Sequence, residues 1–196
     1  MHATDLLRYA RVHRAGAILG GVAAVAILSA LFGGIRIALP SFGTPGVSTG
    51  IPFRRELPLL SAVFLTAAFG GAMAAHEEVG ASRMHRVRSV YLMTLTLITC
   101  GFSFATESLA VGPDDGIVYV RSTVIWLGLA LVSVRVFGPQ LGWAIPLAST
   151  FPLVWLGGGW WDWTVNPPAD WFSWSLAALS LFTGCVAVAA SRWRIS

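Results

Sequence analysis

The chain has 196 residues, of which 56% are hydrophobic and only 11% are charged. Its mean hydropathy of +0.72 lies far above that of soluble proteins, and its long apolar runs leave no room for a soluble domain of useful size. The formal charge of +4 is small and tied to the ends of the apolar runs, which argues against nucleic-acid binding.

The apolar runs predict an all-α integral membrane protein. A bilayer core about 30 Å thick is crossed by roughly 20 apolar residues in a helix. We therefore expect a short N-terminal segment, residues 1–14, followed by one transmembrane domain, residues 15–196. Its six predicted spans are residues 15–38, 57–75, 90–110, 117–137, 141–157 and 171–190.

The N-terminal segment has the pattern of an amphipathic helix. On a helical wheel, Arg8, Arg11 and Arg14 fall on one side, and Leu6 and Tyr9 fall on another. Such a helix can lie on the cytoplasmic headgroups. The alternative is a basic flank that only fixes the orientation of the first span.

Small residues recur every four positions in the first two spans. The members are Gly16, Gly20 and Ala24 in span one, and Ala62, Thr66, Gly70 and Ala74 in span two. This spacing lets helix backbones approach closely. It predicts packing of these two spans against each other, or against a second copy of the chain.

A polar link, residues 76–89, separates spans two and three and is the most charged break in the chain. Glu77 and Glu78 lead it, where a helix dipole favours acids, and three arginines follow: Arg83, Arg86 and Arg88. Met84 and Val87 share a helical stripe with Gly80 and Tyr91, which suits a partner groove or the lipid boundary. The alternative is a link whose arginines only set orientation.

Spans three and four flank a tight turn at residues 112–116. Glu107 and Arg121 are equally distant from Asp114 at its centre, so an antiparallel hairpin brings them to similar depth. Because an isolated charge in a membrane is costly, we expect a structural ion pair between Glu107 and Arg121. A substrate-binding role for the pair is the alternative.

The segment before span six is rich in tryptophan. Trp160, Trp161 and Trp163 lie within it, and Trp171 begins the span. Because tryptophan prefers the headgroup level, one interpretation is an aromatic belt. The other is an interfacial segment that contacts cargo or lipid at the outer face.

The distribution of arginines predicts the orientation. With both termini in the cytoplasm, nine arginines lie inside (8, 11, 14, 83, 86, 88, 135, 192 and 194) and four lie outside (36, 54, 55 and 121). This follows the positive-inside rule. We therefore expect a multi-pass protein of a plasma membrane, most simply a bacterial one.

Several chemistries lack their sequence signature. There is no G-x-x-x-x-G-K-[ST] loop and no G-x-S-x-G. His76-Glu77 begins like H-E-x-x-H, but Gly80 replaces the second histidine. No histidine lies within a span to ligate haem. The chain alone is therefore predicted to be no enzyme, with no metal and no cofactor of its own.

The layout resembles the membrane subunits of ATP-binding-cassette exporters, the class that handles drugs, peptides and polysaccharides. The similarity rests on residues 4–14, on the stretch from Ala75 to Tyr91 that contains the 76–89 link, and on the Trp160–Trp174 outer segment. It implies an amphipathic elbow helix, six spans and a coupling helix between spans two and three.

The resemblance further implies a nucleotide-binding partner that holds ATP and Mg²⁺, and a second copy or sister subunit that completes the pathway in the lipid. The docking residues would be Glu77, Glu78, Arg83, Met84, Arg86 and Val87. The cargo would be amphipathic or hydrophobic, because few fixed charges line the spans. The alternative is a non-transporting accessory or immunity protein that binds a peptide or lipid at its tryptophan-rich outer face.

Overall fold

The computed structural model describes residues 9–40, 48–69, 82–155 and 159–190. Its helices are α1 (Ala15–Phe32), α2 (Leu57–Thr66), α3 (Ser82–Ala110), α4 (Pro113–Phe137), α5 (Ala144–Trp155) and α6 (Trp171–Ala190). The strands β1 (Arg36–Pro40) and β2 (Ser48–Pro52) lie between α1 and α2. Each predicted span therefore contains a helix.

Four of these helices are long and apolar enough to cross a membrane. Their qualifying segments are Ala15–Phe32, Arg86–Ala110, Pro113–Phe137 and Trp171–Ala189. The helical membrane character predicted from the sequence is thus confirmed in its coarser form. The count of six spans stays a prediction, because α2 and α5 have only 10 and 12 residues in the described part of the chain.

The loop between α1 and α2 departs from the expected irregular structure. Span one was predicted to continue to residue 38, but α1 ends at Phe32, before Gly33 and Gly34. Glycine disfavours helix continuation, and the apolar residues that follow form β1 instead. Strand β1 pairs antiparallel with β2, in a register that places Arg36 opposite Pro52. The hairpin is a local addition to a helical fold, so the all-α class stands.

Helix α4 is the centre of the bundle and packs against α2, α3, α5 and α6. It begins with Pro113 in its first turn, where the missing N–H is not needed. Trp126 is fully buried at mid-helix. Since α4 has protein neighbours on several sides, its apolar length is used for packing rather than for lipid contact.

Helices α4 and α6 approach each other with almost no space between their backbones. A Cβ atom added to Gly128 would collide with the backbone of Ser180, and one added to Gly184 would lie 2.6 Å from the Gly128 carbonyl oxygen. The Ser180 and Gly184 spacing on α6 is the small-x-x-x-small pattern of membrane helix pairs. The sequence analysis did not single out this pair.

The small residues that form the predicted stripe on span one do not pack against α2. Gly16 and Gly20 have open space where a Cβ would stand, and Ala24 is exposed. In contrast, Ala62 and Thr66 of α2 are buried within the bundle. The α1 stripe is thus available to a second copy, whereas the described part of the α2 stripe is used inside the chain.

At the end of the bundle that was predicted to face the cytoplasm, the inner end, residues 9–13 fold back onto α3. Residues 9–12 are helical, and the chain turns at Arg14, which has a left-handed φ of 54°. The rings of Tyr9 and His13 stack at 4.0 Å, and Tyr9 meets Tyr91 edge-on at 5.2 Å. The Tyr91 hydroxyl donates to the His13 carbonyl at 3.4 Å. We call this contact the inner clasp.

Candidate functional site

The end of the bundle that was predicted to face outside, the outer end, contains a buried guanidinium that organises the tryptophan-rich segment. Arg121 of α4 has no exposed surface. Its two terminal nitrogens donate to the carbonyl oxygens of Trp163 at 2.8 Å, Asn166 at 2.7 Å and Pro167 at 2.6 Å. A guanidinium presents five N–H donors in a planar fork, so one side chain can hold three carbonyls of one loop.

Local hydrogen bonds then complete this loop, which we call the outer cap, residues 159–170. Asp162 accepts hydrogen bonds from the backbone and the hydroxyl of Thr164 at 3.1 and 2.6 Å. Asp170 caps α6, since its carboxylate accepts from the Ser173 backbone at 2.8 Å and from its hydroxyl at 2.6 Å. These bonds from Ser173 lower the pKa of Asp170. The outer cap is therefore a folded unit, not a loose loop.

Glu107 pairs with a residue that the sequence analysis did not choose. Its carboxylate has no exposed surface and lies 2.8 Å from Nε of Arg54, which belongs to the short 3-10 turn Phe53–Arg55. The predicted Glu107–Arg121 pair therefore does not form: both residues are fully buried, but each has another partner. Equal distance from the turn sets the depth of Glu107 and Arg121. The direction in which each side chain points around its helix also depends on neighbouring elements, such as the 3-10 turn that supplies Arg54.

The contact between Arg54 and Glu107 is ionic without being an aligned hydrogen bond. Within the described part of the chain, neither Glu107 oxygen nor Arg54 Nε has a hydrogen-bond partner of good geometry. Arg54 also donates weakly to the Ser29 carbonyl at 3.4 Å. Arg54 thus retains donor capacity that its buried neighbours do not use.

Beside Arg54 lies an open cavity of about 320 Å³, which we call the outer cavity. It lies between the start of α2, the first half of α4 and the outer cap. Its lining combines two arginines, one acid, three hydroxyls and three apolar side chains: Arg54, Arg55, Asp115, Tyr119, Ser122, Thr164, Pro58, Val118 and Val165. Tyr119 and Ser61 share a hydrogen bond of 3.5 Å behind it.

Charged groups next to the outer cavity have perturbed pKa values. Burial raises the pKa of Glu56 to about 7, and the nearby Asp162 adds to this effect while Arg55 opposes it. Burial also lowers the pKa of Arg55, against the attraction of Asp162 and Glu56. Such shifts are common where proteins bind ligands or hold charges under partial desolvation.

The predicted tryptophan contacts divide into two groups. Trp160 and Trp171 are 74% and 77% exposed, and both lie edge-on to Phe172. Trp163 instead packs inward, with its ring 5.5 Å from that of Trp126, and Trp161 is partly buried. Trp160 and Trp171 therefore remain candidates for lipid or cargo contact, while Trp163 anchors the outer cap.

The predicted docking residues that the structure describes lie at the opposite end of the molecule. Glu77 and Glu78 fall outside the described residues, and Arg83 and Met84 lie in the first turns of α3. Arg86 is exposed. Val87, however, is only 6% exposed and shares a cluster with Tyr9 and Tyr91. The inner clasp therefore already covers the Val87 and Tyr91 stripe that sequence analysis offered to a partner or to lipid.

Arg54, Arg55 and Tyr119 are the site residues that sequence reasoning missed. The pair Arg54-Arg55 lies in the loop just before span two. In the sequence analysis these two residues were used only to count arginines on each side of the membrane. Two adjacent arginines on the side of the membrane that is poor in positive charge were the available signal. Tyr119 carries no such signal, because one tyrosine in a span resembles any other packed aromatic residue.

Comparison of the chain with family models, with curated proteins and with solved structures found no match.

Proposed function

We propose that this chain is the membrane-spanning subunit of an ATP-binding-cassette exporter for an amphipathic or hydrophobic cargo. A separate nucleotide-binding subunit would hold ATP and Mg²⁺ and would dock on the 76–89 link. The proposal keeps the sequence resemblance and is supported by the geometry of the inner end.

The observation that carries the proposal is the inner clasp. Helix α3 has 29 residues, about 44 Å at 1.5 Å per residue, whereas the bilayer core is about 30 Å thick. Its first turns therefore extend beyond the core as part of the link. Tyr9 and His13 are attached to this extension through Tyr91, so the link, the N-terminal segment and α1 are mechanically connected.

Through this connection, a displacement of the link would be transmitted to the rest of the bundle. A partner that moved residues 76–89 would act on α3 along its axis and, through the clasp, on the start of α1. Since α3 packs against α4 and α1 against α2, the displacement would reach the whole bundle. A second copy against the exposed Gly16, Gly20 and Ala24 stripe would complete a pathway between the two chains.

The test is co-purification of the ATPase in mild detergent from the native host. We expect deletion of residues 77–83 to abolish capture of a nucleotide-binding subunit by the tagged chain. Deletion of residues 41–47, seven residues from the outer loop between β1 and β2, is the matched control and should preserve capture. Retention of the ATPase by the 77–83 deletion would show that the link is not the dock.

A second candidate is favoured by the exposure of Trp160 and Trp171. These rings flank Phe172 at the outer face, as expected of a non-transporting accessory or immunity protein that holds a peptide or lipid there. This candidate requires no ATPase. It is preferred if the intact chain captures no nucleotide-binding subunit, while replacing Trp160 and Trp171 with alanine abolishes protection against an external peptide.

A further inference from the structure

The outer cavity has the composition of a site for a charged headgroup. Arg54 and Arg55 belong to its lining, together with the hydroxyl-bearing residues Tyr119, Ser122 and Thr164. The hydroxyl of Thr164 already donates to Asp162, and that of Tyr119 shares a hydrogen bond with Ser61. Guanidinium and hydroxyl donors together bind phosphate and carboxylate oxygens. Among the lining residues that the structure describes, Asp115 is the acid, and it is exposed at the start of α4.

Arg54 lies between the cavity and a fully buried carboxylate. Its side chain is 20% exposed, whereas that of Glu107 is completely buried. The 2.8 Å contact between them lacks hydrogen-bond alignment. A ligand anion in the cavity would thus meet a guanidinium that has a resident counter-ion behind it and unused donors.

The remaining lining residues are apolar. Pro58, Val118 and Val165 face the same cavity, which opens at the end of the bundle where the headgroups of an outer leaflet would lie. A volume of about 320 Å³ is at the small end of ligand pockets. It suits a headgroup with the first few carbons of a chain rather than a whole lipid.

We propose that the outer cavity binds the phosphate or carboxylate headgroup of an amphipathic molecule, with Arg54 and Arg55 as the anion-binding residues and Glu107 as the resident counter-ion that competes for Arg54. In this arrangement Glu107 keeps Arg54 neutralised while the cavity is empty. An arriving anion shares the guanidinium, so binding is weaker than two unpaired arginines would allow, and is reversible.

This inference deepens the proposed function by naming the chemistry of the cargo headgroup, but it is tested independently of the ATPase. The purified chain alone, in a nonionic detergent, is titrated with dodecyl phosphate, with an uncharged dodecyl glycoside and with inorganic phosphate. Intrinsic tryptophan fluorescence reports binding, since Trp163 is next to Thr164 in the outer cap. Loss of ATPase capture would overturn the proposed function and leave this measurement intact.

We expect saturable binding of dodecyl phosphate and at least tenfold weaker binding of the uncharged glycoside. Arg55→Gln should weaken dodecyl phosphate binding about tenfold, whereas Arg36→Gln, which removes an exposed arginine outside the cavity lining, should change it less than twofold. Glu107→Gln should strengthen binding severalfold, because the competitor for Arg54 is gone. Inorganic phosphate that binds as tightly as dodecyl phosphate would overturn the amphipathic part and leave a free-anion site.

Arg55→Gln and Glu107→Gln are expected to change the affinity for dodecyl phosphate in opposite directions, which makes the proposal falsifiable. It is overturned if dodecyl phosphate and the glycoside bind alike, if Arg55→Gln and Arg36→Gln have equal effects, or if a folded Glu107→Gln protein binds more weakly. Should Glu107→Gln fail to fold, Ser122→Ala replaces it: loss of one hydroxyl donor from the lining should weaken dodecyl phosphate binding severalfold, and an unchanged affinity would count against the site.

Discussion

Arg121 illustrates how one residue can hold a whole loop in place. Its guanidinium donates three partly buried hydrogen bonds to carbonyls of the outer cap. Hydrogen bonds that involve a charged group contribute about 1.5–3 kcal/mol each. The outer cap thus depends on a side chain from a different helix.

Replacing Arg121 with leucine should therefore lower the free energy of unfolding by about 3 kcal/mol or more. Arg121→Lys keeps the charge but not the planar fork, so its loss should be intermediate. The measurement is thermal unfolding in detergent, followed by tryptophan fluorescence. Equal stability of the leucine variant and the native chain would show that the three carbonyls find other partners.

Glu56 should make stability depend on pH. Its pKa is raised from 4.5 to about 7 by burial, and secondarily by Asp162, so the folded state favours the protonated form. This contribution is fully present below about pH 4.5 and is lost as the pH rises through 7. We expect unfolding temperatures to fall between pH 5 and pH 8 in the native chain, and to fall less in Glu56→Gln.

The geometry of single residues also explains why the predicted ion pair between Glu107 and Arg121 does not form. Equal distance from the turn centre sets the depth of Glu107 and Arg121, and both are indeed buried. It does not set their azimuth around α3 and α4. Arg54, far away in sequence, reaches Glu107 from the start of α2, and no local pattern predicts that approach.

At the scale of elements, helices α4 and α6 pack closely because glycine, which has no side chain, stands at the point of contact. Gly128 and the Ser180 to Gly184 stretch lie so close that any Cβ on Gly128 meets main-chain atoms. A backbone cannot move aside as a flexible side chain can. Close approach of this kind is a main source of helix association in lipid, where no hydrophobic driving force acts between helices.

Gly128→Ala should consequently destabilise the protein by about 1–3 kcal/mol, although alanine is the better helix former. Gly101→Ala on α3 is the matched control, because a Cβ there meets nothing; it should be neutral or slightly stabilising. Unfolding temperatures in the same detergent decide between them. A neutral Gly128→Ala would mean that α4 and α6 can separate without cost.

The hairpin of β1 and β2 shows the limit of sequence patterns for this element. Its strands contain prolines and glycine, Pro40, Gly50 and Pro52, which normally indicate a loop. Prolines are tolerated at strand ends and edges, and here Pro40 and Pro52 are terminal. Pairing across seven intervening residues is a tertiary event, so composition alone favoured an irregular loop.

At the scale of the whole molecule, the inner clasp bears on how movement passes from the proposed ATPase to the helices, rather than on how that ATPase docks. Tyr91→Ala removes the ring that joins α3 to Tyr9 and His13. If the proposed function holds, the ATPase should still co-purify with this variant, but cargo-stimulated ATP hydrolysis in proteoliposomes should fall severalfold. Tyr91→Phe keeps the ring and loses only the weak 3.4 Å hydrogen bond, so it should remain close to native.

If Tyr91→Ala retains full cargo stimulation, the clasp is a packing contact and force travels by another route. If it loses the ATPase altogether, the clasp belongs to the dock itself. The two results separate transmission of movement from recognition of the partner.

The sequence by itself determined the properties that depend on composition and on near neighbours. The apolar runs, the proline and glycine breaks and the arginine distribution led to a helical membrane protein with a helix in each predicted span, because lipid demands internal satisfaction of the backbone. Only the tertiary structure decided the partners of Glu107 and Arg121, the burial of Val87 and the existence of the outer cavity. Those features depend on side chains from distant segments converging in space, and the direction in which each helix faces is set by the packing of all of them together.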